Sequence, residues 1–129
     1  MRDIETRADL EAVLTAFYKN VFSDAVIAYF FTEVVPLDLK THVPVITDFW
    51  QAVVFGTHSY RKNVMDVHQQ ISGKSKIEKH HLDRWLLLFK QTIDAHFDGA
   101  NAELMKQRAT SIATLMQMKL SGHTITKLQ

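Results

Sequence analysis

Apolar residues recur at three- and four-residue steps along most of this chain, and little interrupts them: four Gly and two Pro are spread over 129 residues. That period marks amphipathic helices, and so few turn residues argue against a fold of many short strands. The first stripe runs Leu10, Val13, Leu14, Phe17, Tyr18 and Val21, with Thr6 placed to cap it and Asp9 and Glu11 near the positive end of its dipole. Ser23-Asp24 punctuates the stripe, residues 26–31 form a short apolar piece, and Pro36 and Asp38 mark a turn. The next pattern contains Pro44, Ile46, Phe49, Trp50, Val53 and Val54. Proline is best tolerated in a first turn, so the regular helix is predicted to begin near Pro44 and to stop at Gly56.

Two longer patterns follow. Residues 77–97 align Ile77, His81, Trp85, Leu88 and Thr92, with Leu86, Leu87, Phe89 and Ile93 beside them. Asp98-Gly99 breaks that run, and residues 102–120 carry Leu104, Ala109, Ile112, Ala113, Leu115 and Met116. Residues 57–76 are the least regular, and such a connection in a compact domain usually carries function. The expected architecture is all-α: one domain over residues 1–129, with a short N-terminal segment and a tail that frays from 121.

Composition narrows the function classes. The absence of Cys excludes disulfides, thiolate metal sites and cysteine nucleophiles. A net charge of +1, with bases scattered among acids, gives no case for nucleic acid or a membrane surface as a partner. No apolar run reaches the ~18 residues that would span a bilayer, and residues 1–13 lack an apolar signal region, so a cytoplasmic location is expected. There is no Gly-rich phosphate loop, no nucleophile elbow around any Ser, and no His-Glu-x-x-His zinc helix. Glu78 and His81 have the spacing of a di-iron helix, but the second motif that site needs is missing.

The oddity is seven His. His42, Ile46, Phe49 and Trp50 fall on one helical face, so an imidazole opens an otherwise apolar stripe. On pattern alone the plainer reading is a boundary histidine above a core. His68 stands beside Val64, Met65 and Val67, where a lone histidine is commonly a surface or satisfied residue. Tyr18 and Trp85 lie on the inner lines of their helices, and each carries a donor that needs a partner if buried.

Taken together, four ordered segments resemble the group III truncated haemoglobins of bacteria, within the globin superfamily. They are Phe17-Tyr18, the stretch 42–50 with His42-Val43-Pro44 and Asp48-Phe49-Trp50, the stretch 60–68, and the stretch 81–89 with Arg84-Trp85-Leu86-Leu87-Leu88-Phe89. Gln107-Arg108-Ala109 and Ile112-Ala113 also look like the family's last helix. The sequence departs from the family at Lys62, Val64 and Leu82, where Gly, Pro and Phe are usual.

The resemblance implies a truncated globin, a two-over-two helical sandwich around haem b. By position, His68 matches the proximal iron ligand, and Tyr18, His42 and Trp85 match the distal polar groups. Phe31, Ile46, Phe49, Trp50, Tyr60, Met65 and Leu86 match the haem pocket, while Arg61, Lys62 and Arg84 are candidates to pair with the propionates. The implied ligands are oxygen, nitric oxide and carbon monoxide, in ligand or redox chemistry or sensing rather than oxygen transport. Nitric oxide dioxygenase or peroxidase-like turnover would require an electron-donating reductase, because the chain has no flavin or nicotinamide motif of its own. The alternative is a haem-free helical interaction module whose histidines and aromatics only pack.

Overall fold

A computed structural model describes residues 1–34, 36–56 and 77–120 of the chain, leaving aside the side chains of Val34 and Leu120. Helix α1 spans Arg7–Phe22. Thr6 has an extended backbone, and its hydroxyl accepts the Asp9 N–H at 3.1 Å. The Asp9 carboxylate reaches back to the N–H groups of Thr6 (3.1 Å) and Glu5 (2.9 Å), so the two residues cap the helix reciprocally. Leu10, Val13, Leu14, Phe17, Tyr18 and Val21 are all buried, as their spacing predicts.

After α1 the Asp24 carboxylate accepts the N–H groups of Val26 and Ile27 and turns the chain. A π-helical turn at Phe30–Val34 follows, with both Phe30 and Phe31 buried. Helix α2 is Leu39–Phe55. It starts five residues before Pro44, which corrects the sequence expectation. Asp38 is the reason: its side chain caps the Lys40 N–H and takes the Thr41 hydroxyl, and its carbonyl accepts the His42 N–H at 2.8 Å. Pro44 therefore sits inside the helix and leaves the Lys40 carbonyl without its helical donor. Lys40 is exposed, so water can reach that carbonyl. Gly56 ends α2 in the left-handed region (φ 75°), with its N–H on the Ala52 carbonyl.

Helix α3 covers Lys79–His96 and α4 covers Ala100–Leu120. Gly99 makes the corner between them at φ +148°, and a Cβ there would overlap the Asp3 side chain. The close approach has a purpose. Asp3 accepts the N–H groups of Asn101 and Ala102, each at 2.9 Å, and so caps α4 from the other end of the chain. Burial pushes the Asp3 carboxyl up, but N–H bonds from Asn101, Ala102 and Ile4 outweigh it and hold the group below its ordinary value. The Arg2 carbonyl accepts the Asp98 N–H, and Ile4 is fully buried, so the N-terminal segment is a strap over this corner.

The helices form two layers. Helices α1 and α2 pack together, as do α3 and α4; α1 crosses onto α3 and α2 onto α4. Phe89 stands at the crossing, with Phe17 edge-on to it at 4.9 Å and Trp50 and Trp85 stacked on it at 5.2 and 5.3 Å. Arg7 ties the first pair by bonding Asp48, Gln51 and the Pro44 carbonyl. Two leucines on the expected apolar lines face outward, Leu87 at 44% and Leu115 at 50% exposure. Consecutive leucines at 86–88 sweep ~100° each around a helix, so one must leave the core. Met105, fully buried, is a core residue the sequence reading passed over. The described residues contain no strand, and no described helix is long and apolar enough to cross a membrane.

Candidate functional site

The polar candidates of α1 and α2 meet. Tyr18 Oη and His42 Nε2 share a hydrogen bond of 2.9 Å, with the rings edge-on at 4.9 Å. The stripe that buries Phe17 in the core also turns Tyr18 inward, while His42 sits one turn into α2 and is half-buried. Phe31 lies 6.4 Å from the Tyr18 ring. Phe17 bridges to the third candidate, since its ring is 5.0 Å from Tyr18 and 6.0 Å, edge-on, from Trp85. Three helices thus link an imidazole, a phenol and an indole in one chain of contacts, His42 to Tyr18 and Tyr18 through Phe17 to Trp85.

A pocket opens beside this cluster. Ile27, Phe30 and Phe31 form one wall, and Ile77, His81, Leu82 and Trp85 the other. Ile46 and Phe49 on α2 and Leu86 on α3 are half-buried against the same core. Trp50 is nearly fully buried, stacked on Phe89. Arg84 donates from Nε (2.8 Å) and Nη2 (2.7 Å) to the Asp24 carboxylate. His68, Tyr60, Met65, Arg61 and Lys62 lie outside the described residues. Among the described residues, no three His, Asp or Glu side chains converge as a metal cage.

Two residues of the site escaped the sequence reading. His81 is the polar member of the pocket wall, 4.7 Å from the Phe30 ring, and its Nδ1 accepts the Glu78 N–H at 2.9 Å. Burial lowers its proton affinity, neighbouring His80 lowers it further, and Glu78 opposes both. Its position one turn before Trp85 was the available signal. Asp24 is the other; its carboxyl is held below the usual range by the Arg84 hydrogen bond, against the effect of burial, with help from the Val26 and Ile27 N–H groups. Nothing in the sequence near Asp24 points to a partner sixty residues away.

A scan against family models and a search of curated proteins found no match. Among solved structures, the chain is similar to the group III truncated haemoglobin from Campylobacter jejuni, with 21% identity over 93% of this chain and 95% of that one, at a TM-score of 0.78. The fold is that of a truncated haemoglobin. On this truncated-globin scaffold, three of the four segments carrying the sequence resemblance come together: Phe17-Tyr18 on α1, the stretch 42–50 on α2 and the stretch 81–89 on α3. The fourth, 60–68, lies outside the described residues.

The chemistry of the described lining fits an apolar ligand. Large side chains at Ile46, Phe49, Trp85 and Leu86 are neither buried nor fully exposed, and the pocket wall is apolar apart from His81. An apolar lining with a few polar groups is common to small-molecule pockets in general.

Proposed function

We propose that this chain holds haem b between its helix pairs, with His68 as proximal iron ligand, and handles diatomic gases beside Tyr18, His42 and Trp85. The observation that carries the reading is the 2.9 Å Tyr18–His42 hydrogen bond, linked through Phe17 to Trp85 in a truncated-globin fold. Haem supplies an iron that binds oxygen, nitric oxide or carbon monoxide.

The protein supplies everything around that ligand. Tyr18 Oη–H and Trp85 Nε1–H are the donors, and His42 orients the Tyr18 hydroxyl. Phe31, Ile46, Phe49 and Leu86 keep bulk water from the cleft, joined by Tyr60 and Met65. Hydrogen bonds to charged groups contribute roughly 1.5–3 kcal/mol, and ~1.4 kcal/mol is tenfold in an equilibrium constant. Two donors therefore slow ligand loss well beyond what a carrier tolerates, which favours ligand or redox chemistry, or sensing. Turnover draws electrons from an external reductase, in a bacterial cytoplasm. Arg61 and Lys62 are the propionate partners on this reading, with Arg84 engaged to Asp24.

The test is a haemin titration of the full chain, followed by oxidised, reduced and carbon-monoxide spectra. The expected result is stoichiometric uptake with a strong violet band, and weakened haem retention in His68→Ala. A chain that stays colourless overturns the proposal in favour of a haem-free helical module.

A further inference from the structure

The two walls of the pocket are joined by one carboxylate. Asp24 Oδ2 accepts the Val26 and Ile27 N–H groups, fixing the start of the segment that carries Ile27, Phe30 and Phe31. Asp24 Oδ1 accepts Nε and Nη2 of Arg84, the residue before Trp85 on the opposite wall. The Asp24 side chain is only 4% exposed, while the Arg84 side chain that reaches it from outside is 40% exposed. An ion pair with one partner this open to water adds little net stability, so what it contributes here is geometry: one carboxylate fixes the relative placement of two packed elements.

We infer that the Asp24–Arg84 pair is a positioning clamp that sets how Trp85 faces the cleft. The guanidinium fork holds the first half of α3 at one height against residues 24–31. Trp85 is then confined between Phe89, stacked at 5.3 Å, and the edge of Phe17 at 6.0 Å. Arg84 acts through Trp85 and touches no ligand itself. Loss of the fork frees α3 to shift, and the Trp85 indole then moves relative to Phe17 and Phe89.

Two measurements test the clamp, and only the second rests on the haem proposal. In the full chain without haemin, Trp50→Phe leaves Trp85 as the one tryptophan. Adding Arg84→Met is expected to shift its emission to the red and raise its quenching by acrylamide; unchanged emission and quenching overturn the inference. In the haemin-loaded chain, Arg84→Met is expected to speed oxygen dissociation roughly three- to tenfold with Trp85 present, and to leave the rate unchanged in a Trp85→Phe background. Equal acceleration in both backgrounds overturns the clamp, since a purely structural loss moves both alike. If Arg84→Met does not fold, Arg84→Lys carries both readouts, because it keeps the charge and loses the fork. A chain that takes up no haemin defeats the functional proposal, while the emission measurement still decides the clamp.

Discussion

Tyr18 and His42 are hydrogen-bonded at 2.9 Å across the α1–α2 interface, so neither side chain can be altered without disturbing the other. Tyr18→Phe keeps the ring and removes the hydroxyl. In the haemin-loaded chain it is expected to raise the oxygen dissociation rate by about tenfold or more, the loss of one hydrogen bond to a charged group. Stopped-flow ligand displacement measures this. An unchanged rate would show that the phenol serves packing alone.

The strap over the α3–α4 corner gives a second expectation. Asp3→Ala removes the side-chain cap from the first turn of α4 and is expected to cost about 1–2 kcal/mol in urea unfolding. Gly99→Ala is expected to cost more, because its Cβ overlaps Asp3 and also strains the backbone at φ +148°. Equal or smaller loss for Gly99→Ala would mean that the strap yields without resistance.

Acid stability follows from Asp9. Its carboxyl is held far below the ordinary range, first by the Arg2 hydrogen bond and then by the Glu5 and Thr6 N–H groups, with burial opposing. A lowered folded-state value contributes stability that is present above the unfolded value of ~3.9 and is lost as pH falls toward the folded one. The urea midpoint of the native chain is therefore expected to drop steeply below about pH 4. Asp9→Asn should flatten that limb, and an identical slope in the variant would refute the assignment.

His81 acts in a higher window. Burial lowers its proton affinity, and its Nδ1 must stay unprotonated to accept the Glu78 N–H. Below the unfolded value of ~6.5 the unfolded chain binds the proton that the folded chain resists, so stability falls as pH drops from there toward the folded value. Midpoints measured from pH 8 to pH 5 are expected to show this decline, and His81→Phe to reduce its slope.

Much of the helical frame was legible in single segments because its causes are local. The three- and four-residue steps around Phe17 name the buried face of α1, Thr6 names its start, and the turn chemistry of Gly56 and Gly99 names two ends. Local pattern misplaced the start of α2, because Pro44 suggested a first turn while Asp38, six residues before it, supplied the cap. It also ranked Leu87 and Leu115 with the core, since periodicity says which side is apolar but not how wide a neighbouring helix covers it.

The chemistry-bearing residues Tyr18, His42 and Trp85 were readable one at a time, and the resemblance put them in one group. The contacts across elements were not readable, because each joins groups far apart along the chain: Tyr18 to His42, Asp24 to Arg84, and Asp3 to the start of α4. A hydrogen bond across elements depends on how helices cross and at what height. That is decided by the stacking of Trp50 and Trp85 on Phe89 and the edge of Phe17 against it, a packing solution that no single helix specifies.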